Sequence, residues 1–257
     1  MPGTCTVVIP TLNEENNVVN MAKTLREMYP DFKVMFMDDN STDRSKELID
    51  ALNDPLTIMV VRKPEERGLA ASVFQGILEC GTDYFMTFDC DFQHPPEVLK
   101  GMYEEMEKGC DLCIGTRDDR TAMGFTRWAG SWVFTIFADL FLMWHRKPIS
   151  KDVMSGLIAG RTDVFIPVIK DNWDQLEMQG WKVLLDLLKF GPRDLKITSV
   201  HYIFNKREVG ESHISNKVVY TTFHQCGCVG RALAKVYAKV KHIDVRFGAR
   251  CSALPSS

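Results

Sequence analysis

The sequence predicts an α/β fold built on a doubly wound, mostly parallel sheet, and three observations lead there. Short apolar runs alternate with segments of helical spacing through the first half, the pattern of βαβ units. The 257 residues suffice for one large domain, or a domain with a small appendage. At 45% hydrophobic and 25% charged, the chain has an ordinary globular composition. Lys plus Arg total 31 against 34 for Asp plus Glu, a net charge of −3, so disorder, collagen-like repeats and a globally basic nucleic-acid binder are all disfavoured.

Val7-Val8-Ile9 reads as the first strand. Helical spacing follows over residues 14–28 through Val18, Met21, Leu25 and Met28, and Pro30 closes it. Val34 to Met37 is the second strand, with a helix from about Asp43 to Leu52. Ile58 to Val61 is the third strand, Leu69 to Leu78 a helix, and Tyr84 to Phe88 the fourth strand. A helix over Pro96 to Lys108 leads to the strand Leu112-Cys113-Ile114, the fifth. Beyond it an aromatic-rich helical pattern runs from Phe125 to Trp144, then a helix over Leu176 to Leu188, a strand over Ile197 to Phe204 and one long helix over Lys217 to Lys241. With no linker, repeat or low-complexity tract, these read as two lobes of one domain.

The densest apolar stretch, Trp132 to Trp144, is shorter than the ~20 residues of a spanning helix and contains Asp139, so no transmembrane helix is expected. Met1-Pro2 passes into Val7 without a basic, leader-like segment, which points to a cytosolic chain. Eight cysteines in a chain of this size read as reduced thiols. The single CxxC, Cys110 and Cys113, lies in an apolar run and reads as small buried hydrophobes rather than half of a zinc site.

In such sheets ligands bind beyond the carboxyl ends of the strands, and four of those ends are unusually polar. The first is Pro10-Thr11-Leu12-Asn13-Glu14-Glu15, where Thr11 or Asn13 serves equally as a helix cap or a nucleotide contact. The second, Asp38-Asp39-Asn40-Ser41-Thr42-Asp43, has more carboxylates than one cap needs, leaving an acceptor for a base or ribose. Arg67-Gly68 follows the third strand, either as a simple turn or as a close approach to a ligand. The fourth is Asp89-Cys90-Asp91-Phe92-Gln93-His94. Residues two apart in an extended chain share a side, so Asp89 and Asp91 present two carboxylates together and Cys90 faces away. Hard oxygen ligands with positions left for water and phosphate suit Mg2+ or Mn2+, with Gln93 or His94 adding a ligand or hydrogen bond.

In this order the motifs resemble the nucleotide-sugar half of the inverting GT-A glycosyltransferases of family 2. The continuation Phe92-Gln93-His94-Pro95-Pro96-Glu97 is similar to the dolichol-phosphate mannosyltransferase and polyprenyl-phosphate glycosyltransferase group. Ile114-Gly115-Thr116-Arg117, the pair Arg127 and Ser131, Ser155-Gly156-Leu157, and Phe204 to Ser212 resemble further family segments. The resemblance implies a GT-A domain over residues 1–225, with a nucleotide-sugar half at 1–117 and a helical acceptor half at 118–225. Residues 226–257 are then a basic amphipathic helix and tail. It also implies that Pro10, Leu12, Glu14, Asp38, Asp39, Arg67, Gly68, Asp89, Cys90, Asp91 and Arg207 bind the nucleotide sugar. Asp89, Asp91 and Gln93 would hold the metal, while Asp91, Arg117, Arg127 and Ser131 form the catalytic and acceptor-phosphate set. Departures from the family pattern are Leu12 in place of an aromatic residue, Cys90 in place of a small one, and His213 in place of lysine; Asp118-Asp119-Arg120 replaces a glycine-rich stretch.

The activity so implied is metal-dependent transfer of a hexose, mannose from GDP-mannose, to dolichyl or polyprenyl phosphate. A UDP-glucose donor is the alternative within the class. A non-catalytic nucleotide-sugar-binding subunit is the alternative outside it, and the intact Asp89/Asp91 pair argues against that. The partners expected are the two substrates and a membrane surface on its cytosolic face, reached directly or through a small membrane anchor subunit, with no nucleic acid. Arg231, Lys235, Lys239, Lys241, Arg246 and Arg250 against Asp244 alone, with Leu233, Val236, Tyr237 and Val240 at helical spacing, make the C-terminal stretch the candidate membrane contact.

Overall fold

The computed structural model describes residues 3–118, 125–203 and 216–241, with side chains given except at 125–133, 216–219, 222 and 228–229. Seven strands form one sheet in the order β3-β2-β1-β4-β6-β5-β7. They are β1 (Cys5–Thr11), β2 (Lys33–Asp38), β3 (Thr57–Val61), β4 (Tyr84–Thr87), β5 (Leu112–Arg117), β6 (Ile158–Arg161) and β7 (Ile197–Tyr202). All described pairings are parallel except those of β6, which runs antiparallel between β4 and β5.

The central strands carry apolar residues on both faces because both faces are covered by helices. Val7 and Ile9 point into a core with Val18, Met21 and Leu25 of α1 (Val18–Met28) and Leu99 and Met102 of α4 (Val98–Glu107). Val8 faces the other way, toward α3 (Leu69–Glu79), whose Gly76 lets the helix lie directly on the valine. On that side α3 joins α6 (Thr162–Asp171) and α7 (Val183–Phe190) in a second core around Phe74, Phe165 and Leu184. The short α2 (Ser45–Asp50) precedes β3.

The first five strands and the helices between them lie where periodicity placed them, and three later assignments need correction. Strand β6 and helix α6 have no counterpart among the elements that periodicity predicts. Four residues containing Gly160 are too short a run to register as a strand, and Pro167 interrupts the helical pattern. The helix expected over residues 176–188 begins only at Val183, since residues 176–182 form a loop after a 3-10 turn at Trp173–Gln175. The single helix over residues 217–241 is two, α8 (Asn216–Gln225) and α9 (Gly227–Val240), broken where Gly227 takes φ +66°.

The aromatic helix α5 (Phe125–Trp144) is sided. Phe134 is buried, and with Phe137 it packs on Phe223 of α8. Its outer stripe is mostly aliphatic: Ile136, Leu140 and Met143 are exposed, with Trp144 at the end.

Candidate active site

The chain lays down β1, β2 and β3 outward in one direction and then returns to add β4 on the other side of β1. The loops leaving β1 and β4 therefore diverge, opening a crevice at their carboxyl ends. Both run in the same direction, so residues 11–15 and 88–94 are brought to one rim. Strand β6 enters from that rim, placing Ser155-Gly156-Leu157 between the ends of β4 and β5. Ser155 Oγ donates to the Gly115 carbonyl at 2.7 Å, and Thr87 Oγ1 donates to the Gly156 carbonyl at 2.6 Å, tying this segment to both neighbours.

At the outer end, the three carboxylates after β2 have separate structural partners. Asp38 accepts from the Ser41 N–H at 2.8 Å and from the Ser41 hydroxyl, closing a turn. Asp43 accepts from the Glu15 N–H at 2.9 Å. Asp39 is bound by the Gly68 N–H and Ser72 Oγ, each at 2.9 Å, and by Arg62. Arg62, which belongs to none of the motifs, is 3% exposed and also reaches Gln75, Ser72 and the Glu66 carbonyl. Its signal is a charge directly continuing the apolar strand Ile58 to Val61. Arg67 donates to the carbonyls of Asp39 and Asn40, both at 2.8 Å, folding the β3–α3 loop over the acidic turn. Gly68 is where the loop carrying Met178 presses in, because any side chain there would strike the Met178 carbonyl. Across the crevice Pro10 is half-buried, Leu12 stands exposed, and Glu14 accepts from Asn17 Nδ2 at 2.7 Å.

The acidic pair after β4 lies at the centre. Asp89 keeps 47% of its side chain accessible, yet one oxygen sits 3.2 Å from Nε2 of the buried His94. Burial pushes the Asp89 carboxyl up, but His94, Arg117 and Lys182 outweigh it and hold the group below the usual range, hence ionised. Asp91 accepts from the Gln93 N–H at 3.1 Å across a turn in which Phe92 has φ +56°. Cys90 is buried in the core, so only its backbone borders the crevice; burial, with Glu14, Asp91 and Asp89 nearby, keeps its thiol protonated.

Facing them, Arg117 ends β5, its guanidinium against Tyr202 of β7; burial pushes the Tyr202 hydroxyl up to about 12 against the pull of that charge. Lys182 and Asp152, which also belong to none of the motifs, complete this side. Lys182 Nζ donates to the Met154 carbonyl at 3.0 Å, and Asp152 is 3% exposed on the same segment.

The structure thus brings together Asp89, Asp91, Gln93 and Arg117, with Glu14 beside them and Asp39, Arg67 and Gly68 at the outer end. The side chains of Arg127 and Ser131, and all of Arg207 and His213, lie outside the described residues. Asp89, Asp91 and Gln93 offer oxygen donors only, a set that fits a hard divalent cation. Among the described residues no three His, Cys, Asp or Glu side chains are grouped to hold a metal ion. The pair is therefore an open half-shell that leaves the other positions around such a cation to further ligands.

A switch-point crevice with a carboxylate pair after β4 and an arginine at the end of β5 defines a GT-A type fold. Residues 6–168 match the profile of glycosyl transferase family 2, and the chain belongs to that family. It is 29% identical over 233 residues to the dolichol-phosphate mannosyltransferase of Pyrococcus furiosus, covering 83% of this chain but only 60% of that relative's length. With the enzyme of the same name from Saccharomyces cerevisiae it shares 29% identity, covering 85% of this chain and 84% of the relative. With the undecaprenyl-phosphate mannosyltransferase of Micrococcus luteus it shares 28%, covering 82% and 88%. A crystal structure of glucosyl-3-phosphoglycerate synthase from Mycobacterium tuberculosis, bound to Mn2+, UDP-glucose and phosphoglyceric acid, superimposes with a TM-score of 0.63 at 15% identity, covering 88% of this chain and 80% of that one.

Proposed function

We propose that this protein transfers a hexose, mannose from GDP-mannose, to dolichyl or polyprenyl phosphate with inversion at the anomeric carbon. The observation that carries the reading is that the Asp89/Asp91 pair and Arg117 border one crevice; in this reading the anions serve the donor side and the cation the acceptor phosphate. The names of the relatives support the same lipid-phosphate acceptor.

The acceptor needs little activation. A phosphate monoester has its second pKa near ~6, so at neutral pH its oxygen is already a nucleophile and no protein base is required. An acceptor oxygen forms the new bond to the anomeric carbon as the bond to the nucleoside diphosphate breaks, and the electron pair leaves with the diphosphate. The protein's task is to hold two phosphate-bearing groups together and aim one at the other. Arg117 presents a planar fork suited to phosphate oxygens, and Arg127 and Ser131 are assigned to the same acceptor phosphate. Glu14, Asp39 and the Arg67–Gly68 turn border the nucleoside end, and Arg207 is assigned to the donor phosphates. Asp89, Asp91 and Gln93 would hold Mg2+ or Mn2+, which neutralises the donor diphosphate when bound.

A lipid acceptor requires a membrane surface, and in this reading the protein works on its cytosolic face. No helix among the described residues is long and apolar enough to cross one. Helix α9 supports surface attachment: Leu233, Val236 and Val240 are exposed beside Arg231, Lys235, Lys239 and Lys241, with no acidic residue in the helix. A small anchor subunit is the alternative means of attachment.

The test presents GDP-mannose, UDP-glucose and UDP-N-acetylglucosamine, each with a short polyprenyl phosphate and Mg2+ or Mn2+. Mannosyl lipid is the expected product. Asp91→Ala should abolish transfer, with the circular dichroism and melting temperature of the parent, since the side chain lies at the rim rather than in the core. Product from UDP-glucose alone would shift the reading to the glucosyl alternative. Full activity of metal-free Asp91→Ala would remove the metal role.

A further inference from the structure

The crevice contains a second cation that the motifs do not announce. Lys182 stands at the N-cap of α7, where a positive charge opposes the helix dipole. It is half-buried, and the charge of Arg117, on the same side of the crevice, bears on it, with Asp152 and Asp89 as partial compensation. Burial and then Arg117 pull its ammonium down to about 8 against those two carboxylates. Three unfavourable terms therefore meet at one residue: desolvation, a like charge and the wrong end of a helix. Such an arrangement is relieved when an anion enters between the two cations.

The surrounding structure holds the lysine there. Its Nζ donates to the Met154 carbonyl, and the next residue, Ser155, is fastened to Gly115, two positions before Arg117. Its own carbonyl accepts from Gln225 Nε2 of α8 at 3.1 Å. The loop leading to it is docked on the start of α3, where the Ala70 and Ala71 N–H groups donate to the carbonyls of Gly180 and Met178 at 3.2 and 3.1 Å. Gln179 Nε2 also donates to the Arg67 carbonyl at 2.7 Å. A surface lysine needs no such framework.

We propose that Lys182 and Arg117 together form the seat for the acceptor's phosphate monoester, the lysine acting as a point charge beside the arginine fork. This rests on the lipid-phosphate reading above. In the full chain, Lys182→Met should raise the KM for a short polyprenyl phosphate at least about tenfold, the loss expected for one charge-assisted hydrogen bond, while the KM for the nucleotide sugar stays within about twofold. Lys182→Arg should restore most of the acceptor affinity. Because Lys182→Met removes a strained charge, its melting temperature should equal or exceed the parent's, which a merely structural lysine would not allow. A rise in both KM values together, or a loss of stability with no selective acceptor defect, overturns the assignment. If the parent transfers to no polyprenyl phosphate, the functional reading fails. Calorimetric titration with a water-soluble isoprenyl phosphate then decides the seat by itself: binding by the parent that weakens in Lys182→Met supports it, and equal or absent binding overturns it.

Discussion

The buried pair Arg62 and Asp39 shows how this molecule arranges charge. Arg62 is wrapped by Asp39, Ser72, Gln75 and the Glu66 carbonyl, and its side chain is only 1% exposed. Removing one partner of such a pair strands the other charge away from water. Arg62→Met is therefore expected to lose about 3–5 kcal/mol in urea denaturation. Asp39→Asn combined with Arg62→Met should recover part of that loss, because the orphaned charge is gone. If the double variant is no better than the single one, the cost lies in packing rather than in the unpaired carboxylate. The same network bears on the site, since Asp39 also receives the Gly68 N–H and its own carbonyl receives Arg67.

Among the elements, α7 and α8 are joined through a fully buried carboxylate. Asp186 accepts from the Glu177 N–H at 2.8 Å and from Gln225 Nε2 at 3.1 Å, with Lys189 Nζ 3.9 Å away. Burial pushes its carboxyl up to about 6, more than these partners pull it down. The folded pKa lies above the unfolded one, so the folded state binds the proton more tightly. Its stabilising contribution is present at low pH and is lost as pH rises through about 6. Thermal melts of the parent and Asp186→Asn between pH 4 and 7 should diverge accordingly, the parent losing roughly 2 kcal/mol relative to the variant over that range. Parallel melting curves would mean that Asp186 ionises normally.

At the scale of the whole molecule, two exposed apolar surfaces stand out. One is the stripe Ile136, Leu140, Met143 and Trp144 on α5, and the other is the cationic and aliphatic face of α9. Phe223 of α8 packs against Phe134 and Phe137 of α5 and Tyr237 of α9, joining the two helices through one aromatic cluster. An anionic bilayer would attract α9 by about 1 kcal/mol per basic residue near its surface, an attraction weakened by salt. The full chain should float with anionic vesicles at low salt. Lys235→Glu with Lys239→Glu should float less, and neutral vesicles should recover little of either. Equal flotation of parent and double variant would remove α9 as the electrostatic contact.

The sequence by itself determined the order of β1 to β5 and the helices between them, because a strand buried on both faces must be written as a continuous apolar run and its covering helices must be amphipathic. It also determined the polar strand ends, since Asp89 and Asp91 or Asp38 and Asp39 are visible as acids directly after such runs. Only the tertiary structure decided which of those acids face the crevice. Asp38 closes its own turn, Asp39 is held by Arg62, Ser72 and Gly68, and Asp89 remains accessible. The Asp39 outcome depends on partners 23 to 33 residues away, just after β3 and at the start of α3. The same holds for β6, whose four residues become a strand through pairing with both β4 and β5. Lys182 carries no motif of its own; it becomes part of the site because the residues 176–182 loop docks on α3 and Met154 receives its ammonium. Periodicity reports which face of an element is covered, whereas a binding site is made by the ends of elements, and their neighbours are set by topology.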